Sequence, residues 1–133
     1  RIKGDIPDTL ILVEHEPVYT MGKNANRDHL LQSRDKSIEV FNVGRGGDVT
    51  FHGPGQLVGY PILDLRNYKK SVSWYMRRLE ELIIKVLKEF DIKGSRIKGL
   101  TGVWVNNRKI AAVIFLKLLF IMKYSFSRSI SYP

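Results

Sequence analysis

The residues best suited to chemistry stand in Arg45-Gly-Gly-Asp-Val-Thr-Phe-His-Gly-Pro-Gly-Gln-Leu57, where one arginine and one histidine sit among glycines. Five of the chain's 11 glycines fall within residues 44–55. Glycines let a ligand approach the main chain, whose N–H groups can then bind a carbonyl oxygen or an anion. The same composition also suits a tight hairpin in which His52 merely bonds the backbone, and residue types alone leave both readings open. Lys109, taken by itself, reads as a solvated lysine at the end of a hairpin. The 133 residues contain no cysteine. They therefore hold no disulfide, no thiolate zinc site and no cysteine nucleophile.

The glycine run is followed by a strand pattern rather than a helix, so it fails the context of both the P-loop and the dinucleotide fingerprint. The elements around it are legible from periodicity. Thr9-Leu-Ile-Leu-Val13 reads as a fully buried strand, residues 21–26 as a polar loop, and residues 28–32 as one helical turn. Ile38-Glu-Val-Phe-Asn-Val43 reads as a strand. Residues 57–65 form a further apolar strand candidate, with Pro61 arguing for an edge or a bulge. Ser71 can cap a helix whose apolar positions Val72, Tyr75, Met76, Leu79, Leu82, Ile83, Val86, Leu87 and Phe90 recur at helical spacing. Residues 103–105 and 109–112 read as a hairpin turning at Asn106-Asn107. The fold expected is α+β, with a mixed, mostly antiparallel sheet and packed helices.

The formal net charge is +9, from 22 Lys and Arg against 13 Asp and Glu. It is concentrated at one end: residues 92–133 hold eight bases and no acid. No RGG repeat, zinc finger, RNP signature or basic helix accompanies the charge, so nucleic acid is not the expected partner. The chain opens without an initiator methionine or a signal-peptide pattern and reads as the interior of a longer product or a trimmed one. Its longest apolar stretch, residues 110–122, carries Lys117 and is shorter than the roughly 20 residues of a membrane-spanning helix. A cytoplasmic protein is expected, with no membrane partner, no metal and no cofactor.

Arg45-Gly-Gly-Asp-Val-Thr-Phe-His-Gly-Pro-Gly-Gln-Leu-Val-Gly-Tyr-Pro-Ile-Leu-Asp-Leu65 resembles the signature of the octanoyl-[acyl-carrier-protein]:protein N-octanoyltransferases, the lipoyl(octanoyl) transferases. Pro7-Asp-Thr-Leu-Ile-Leu-Val-Glu-His-Glu-Pro-Val-Tyr-Thr-Met-Gly22 is similar to the family's upstream motif, and Leu100-Thr-Gly-Val-Trp-Val-Asn-Asn-Arg-Lys-Ile-Ala-Ala112 to its downstream one. The lipoate-protein ligases, on the same fold, carry a different Arg-Ser-Gly-Gly-Gly loop. The resemblance implies a fold like the biotin and lipoate protein ligase catalytic domains, incomplete at both ends. It implies transfer of octanoyl from acyl carrier protein to a lysine of lipoyl domains, those of 2-oxoacid dehydrogenase complexes and the glycine cleavage H protein. The mechanism implied is ping-pong through a cysteine thioester.

By the same resemblance, Arg45, Gly46, Gly47, Asp48, Val49, Thr50, Phe51 and His52 line the acyl pocket, joined by Ala112 and Val113. Lys109 matches the catalytic lysine that lowers the thiol pKa and assists proton transfer. The match stops abruptly. Residues 1–113 are expected to form a partial transferase domain, and residues 114–133 a tail unlike the family. Ile114 stands where the family has a pocket glycine, and its branched side chain would crowd a backbone-lined site. The Pro-Cys-Gly segment that bears the nucleophile is missing, so the chain is expected to be inactive, its tail the product of a shifted reading frame. That tail has β-propensity without acidic gatekeepers and is expected to favour aggregation. Two alternatives are a non-catalytic module binding acyl carrier protein or lipoyl domains, and a lipoate-protein ligase relative.

Overall fold

The computed structural model describes residues 6–114 and 119–123. Its elements run β1 (Thr9–Glu14), β2 (Val18–Met21), β3 (Val40–Asn42), β4 (Val49–His52), β5 (Gln56–Ile62), α1 (Val72–Lys88), β6 (Val103–Val105), β7 (Arg108–Ile114) and β8 (Leu119–Lys123). Two short 3-10 turns, Arg27–His29 and Leu65–Asn67, are capped by the side chains of Asn26 and Asp64. The fold is α+β, as the patterning predicts, but the strands form two sheets rather than one. The larger has the order β1-β5-β8-β7-β6, and every pair in it is antiparallel. The smaller has the order β3-β2-β4, with β2 and β3 parallel. That parallel pair is possible because residues 22–39 form a long enough crossover.

Helix α1 begins where the cap predicts: Ser71 Oγ accepts the Trp74 N–H at 3.3 Å. Its buried line of Tyr75, Leu79, Ile83 and Leu87 packs on Val103, Ala111 and Val113 of the β6–β7 hairpin, forming the main core. Leu82, Val86 and Phe90, apolar at helical spacing, are 47%, 40% and 60% exposed. The hairpin is narrower than the helix's apolar stripe, so only the centre of the stripe is covered. Asn106 and Asn107 both take positive φ (49° and 60°), the backbone of a two-residue hairpin turn, as their types suggest.

The first strand corrects the sequence reading. Far from being fully buried, β1 is the edge of the large sheet, and Leu10, Ile11 and Leu12 are about half exposed. A continuous apolar run fits burial on both faces, but α1 covers the opposite end of the sheet, at β6 and β7. Pro61 meets its edge expectation locally. It pairs with Leu10 of β1, two residues past Gly59, the last residue of β5 paired with β8. Of the expected tail, Ile114 closes β7, and the backbone of Leu119–Lys123 forms β8 between β5 and β7. The remaining tail positions, 115–118 and 124–133, lie outside the described residues. Among the described residues no helix is long and apolar enough to cross a membrane.

Candidate active site

The glycine-rich segment folds back on the loop after β2, and glycine is required where they touch. A Cβ on Gly22 would lie 2.3 Å from the Gly47 carbonyl oxygen, and Gly47 itself has φ +80°. Lys23 N–H donates to Arg45 O at 2.8 Å, and Gly22 N–H to Asp48 O at 3.3 Å. Arg45 is 2% exposed and spends its guanidinium on this loop. Nη2 donates to Thr20 O (2.6 Å), Asp48 O (2.8 Å) and Thr20 Oγ1 (2.9 Å), Nη1 to Gly46 O (3.0 Å), and Nε to Thr20 Oγ1 (3.2 Å). Burial lowers its pKa from the ordinary arginine value, against the Asp48 charge.

A directed chain of hydrogen bonds continues from Arg45. Gln56 Nε2 donates to Phe51 O at 3.2 Å, which leaves Gln56 Oε1 to accept from His52 Nδ1–H at 2.7 Å. His52 Nε2 then accepts from the Thr20 hydroxyl at 3.2 Å, whose oxygen already accepts from Arg45. This network assigns the Nδ1–H tautomer and occupies both ring nitrogens. Burial lowers the His52 pKa below the ordinary histidine value, with the charges of His15 and Arg45 adding to it and the Gln56 bond opposing it. A neutral, doubly bonded imidazole suits holding the Gly53-Pro54-Gly55 turn better than abstracting a proton. Glu14 supports the same turn by accepting the Gly55 N–H at 3.0 Å.

Alternation along β4 separates the predicted pocket residues. Thr50 pairs with Thr20, and together with His52 it faces the Arg45 network. Val49 and Phe51 face the other way, with Phe51 against Tyr19 at 5.1 Å between ring centroids. They line a cleft of about 460 Å³ with Leu31, Ser33 and Arg34. Asp48 turns to that side too. Its Oδ1 accepts the Val49 and Asn26 N–H groups at 2.8 and 3.1 Å, and its Oδ2 bonds His29 Nδ1. The His29 bond and these N–H donors lower its pKa.

On β7 the alternation also divides the predicted residues. Val113 is 5% exposed in the α1-covered core. Ala112 lies on the opposite face, as does Ile114, which packs on Val58, as does Tyr60. Tyr60 Oη bonds His15 Nε2 at 2.9 Å, and the His15 ring lies 5.4 Å from His52. Lys109 is exposed at the start of the same strand, its Nζ 4.9 Å from the centroid of the Trp104 ring. The register Leu57↔Met122↔Ala111 makes β5 and β7 parallel to each other across β8. Gly55, just before β5, and Lys109, at the start of β7, thus stand at the same end of the large sheet, on either side of β8.

The structure therefore joins Arg45, Gly46, Gly47 and His52 in one knot and sets Lys109 at its side. Asp48, Val49 and Phe51 are turned outward. Sequence reasoning missed Thr20, Gln56, His15 and Tyr60. A signal existed for two of them: a buried arginine without an acid must find neutral oxygens, and His52 and Gln56 bracket a Gly-Pro-Gly turn. Among the described residues no cluster of histidines and acids could hold a metal.

The model of the lipoyl protein ligase A/B catalytic domain matches residues 1–115. An octanoyltransferase of Gloeobacter violaceus is 54% identical over 109 residues, covering 82% of this chain and 49% of the relative. A chloroplastic octanoyltransferase of Arabidopsis thaliana is 49% identical over 108 residues, covering 80% and 39%. The chain spans about half the length of such bacterial curated relatives. Among solved structures, a bi-partite lipoate protein ligase from Thermoplasma acidophilum superposes with TM-score 0.66 at 16% identity, over 90% of this chain and 50% of that one. LipL1 of P. falciparum, in complex with lipoate, gives 0.62 at 19%, over 86% and 34%. These structural likenesses speak for the fold, and the sequence matches for descent: the chain belongs to the lipoyl protein ligase A/B catalytic domain family.

Proposed function

We propose that these residues form the acyl-binding half of an octanoyltransferase of lipoate biosynthesis, which moves octanoyl from acyl carrier protein to a lysine of a lipoyl domain. The observation that carries the reading is the placement of the glycine turn before β5 and of Lys109 at the start of β7 at the same end of the large sheet. The acyl chain would lie along the sheet face that bears Val58, Tyr60 and Ala112. The glycines of the segment would let the thioester approach the main chain closely. Lys109 would hold the adjacent thiol as thiolate and return a proton to the leaving group.

The covalent step requires a thiol, and these 133 residues contain none. By themselves these residues would bind the acyl group without transferring it, in a site narrowed where Ile114 packs on Val58. A second reading, a module that docks acyl carrier protein or lipoyl domains without catalysis, draws on the exposed bases Lys93, Arg96, Lys98, Arg108 and Lys109 around the hairpin. Mass spectrometry of an apo lipoyl domain after incubation with octanoyl-acyl carrier protein tests the first reading. No octanoyl adduct is expected, whereas transfer above a protein-free blank would overturn the loss of catalysis. Calorimetric titration with octanoyl-acyl carrier protein tests the pocket: Ile114→Gly is expected to tighten binding several-fold, and identical weak binding of the acylated and unacylated carrier would favour the docking module instead.

A further inference from the structure

Glu80, on α1, has a side chain with no exposed surface. A carboxylate in such a place is costly unless its lone pairs are used, and here they are. Oε1 accepts the Gly102 N–H at 2.9 Å. Oε2 faces Arg77 Nη1 at 2.7 Å and Arg96 Nε at 3.3 Å. These partners share a location. Gly102 lies two residues before Trp104, pressed so closely on β7 that a Cβ there would stand 2.6 Å from Ala111 O. Arg96 follows Ser95, which pairs with Trp104 through Ser95 N–H to Trp104 O (2.8 Å) and Trp104 N–H to Ser95 O (2.9 Å).

One carboxylate therefore grips both segments that flank Trp104. The indole, 5% exposed, in turn carries the Lys109 ammonium over its face at 4.9 Å. Among the described residues no carboxylate pairs with Lys109. We propose that Glu80 is a positioning residue for Lys109, acting through the Gly102 N–H and the Trp104 ring. Its relevance to acyl transfer rests on the reading of Lys109 given under Proposed function.

The test reads the lysine itself. Reductive methylation with carbon-13 keeps each lysine charged and gives every ammonium an NMR signal. The Lys109 signal, assigned by its loss in Lys109→Arg, is expected upfield of the other lysines because it sits over the indole. Trp104→Leu should return it to their range. Glu80→Gln keeps an oxygen for Gly102 and should retain most of the displacement. Glu80→Ala should lose at least half of it. Should Glu80→Ala fail to fold, Glu80→Asp, one methylene short of Gly102, should lose a similar share while amide exchange at Gly102 quickens about tenfold or more.

Three results would overturn the proposal: no upfield displacement in the unaltered chain, a folded Glu80→Ala or Glu80→Asp protein with the displacement intact, or a loss in Glu80→Gln equal to that in Glu80→Ala. A merely structural glutamate would lower stability in these variants and leave the Lys109 signal in place. The measurement needs no acyl donor. Failure of octanoyl binding would count against the proposed function and leave this result standing.

Discussion

The two halves of the site are held by opposite means. Around Arg45 the polar atoms are buried and each answers another: guanidinium to carbonyls, hydroxyl to imidazole, imidazole to amide. Around Lys109 the ammonium stands in solvent, steadied by an aromatic face whose own position is fixed from beneath. In a dry network a missing partner leaves a desolvated group unpaid, whereas an exposed charge has water to fall back on. The first half thus resists change in order to hold a turn, and the second can act on a ligand without unfolding anything.

The sharpest way to break that contrast is at Arg45. Arg45→Leu withdraws the guanidinium from the Thr20, Gly46 and Asp48 carbonyls, leaving Asp48 O only the Gly22 N–H at 3.3 Å, and each buried group left unsatisfied costs about 1–3 kcal/mol. A loss of about 3 kcal/mol or more is expected by urea denaturation, a large share of a typical domain's stability. If Arg45→Leu melts like the unaltered chain, the knot is not what holds the turn.

Gly22→Ala comes next, because it tests the close approach without touching any charge. The new methyl would meet Gly47 O, a backbone atom that cannot swing aside as a side chain can. A cost of about 2–3 kcal/mol is expected, in the range of overpacked sites. The matching control is Gly44→Ala, where the added methyl meets nothing within 4 Å.

The pH dependence separates the halves more finely. His52 is held neutral below its ordinary value of 6.5, so the unfolded chain takes up a proton that the folded chain refuses. The stability from this group is complete above about pH 6.5 and is lost as pH falls from there through the lower folded value. The lowered carboxyls of Asp35, Asp48 and Glu81 act only below their ordinary values of 3.8 and 4.5, outside this window. Denaturation midpoints between pH 7 and 5 should therefore fall more steeply for the unaltered chain than for His52→Gln. Equal slopes would mean that the imidazole is not shielded.

How much of this was legible depends on the range of the interaction. The α1 cap at Ser71, its buried line and the Asn106-Asn107 turn follow from local periodicity and backbone preference, and the structure has them. The motif residues of the glycine segment stand out by type, yet their neighbours in space come from elsewhere: Thr20 is 25 residues from Arg45 and Gly102 is 22 from Glu80. Which face a strand residue takes is set by pairing, so Asp48, Val49 and Phe51 could not be told from Thr50 and His52 by type. The exposure of Leu10 and Leu12 was illegible for a related reason, since an apolar run does not say whether its strand lies at an edge.

The smallest expected effect is at Lys109, and it completes the contrast. Lys109→Met removes a cation–π contact at an exposed site, worth about 0.5–1 kcal/mol, and replaces it with a thioether that still packs on the Trp104 ring. The unfolding midpoint should move by less than that, while Trp104→Leu, which empties a 5% exposed position, should cost about 2–4 kcal/mol. A Lys109→Met loss as large as that of Arg45→Leu would mean that the ammonium is part of the scaffold. A near-neutral result leaves its charge available to a ligand, because a side chain that contributes little to folding can be repositioned or neutralised on binding without cost to the fold.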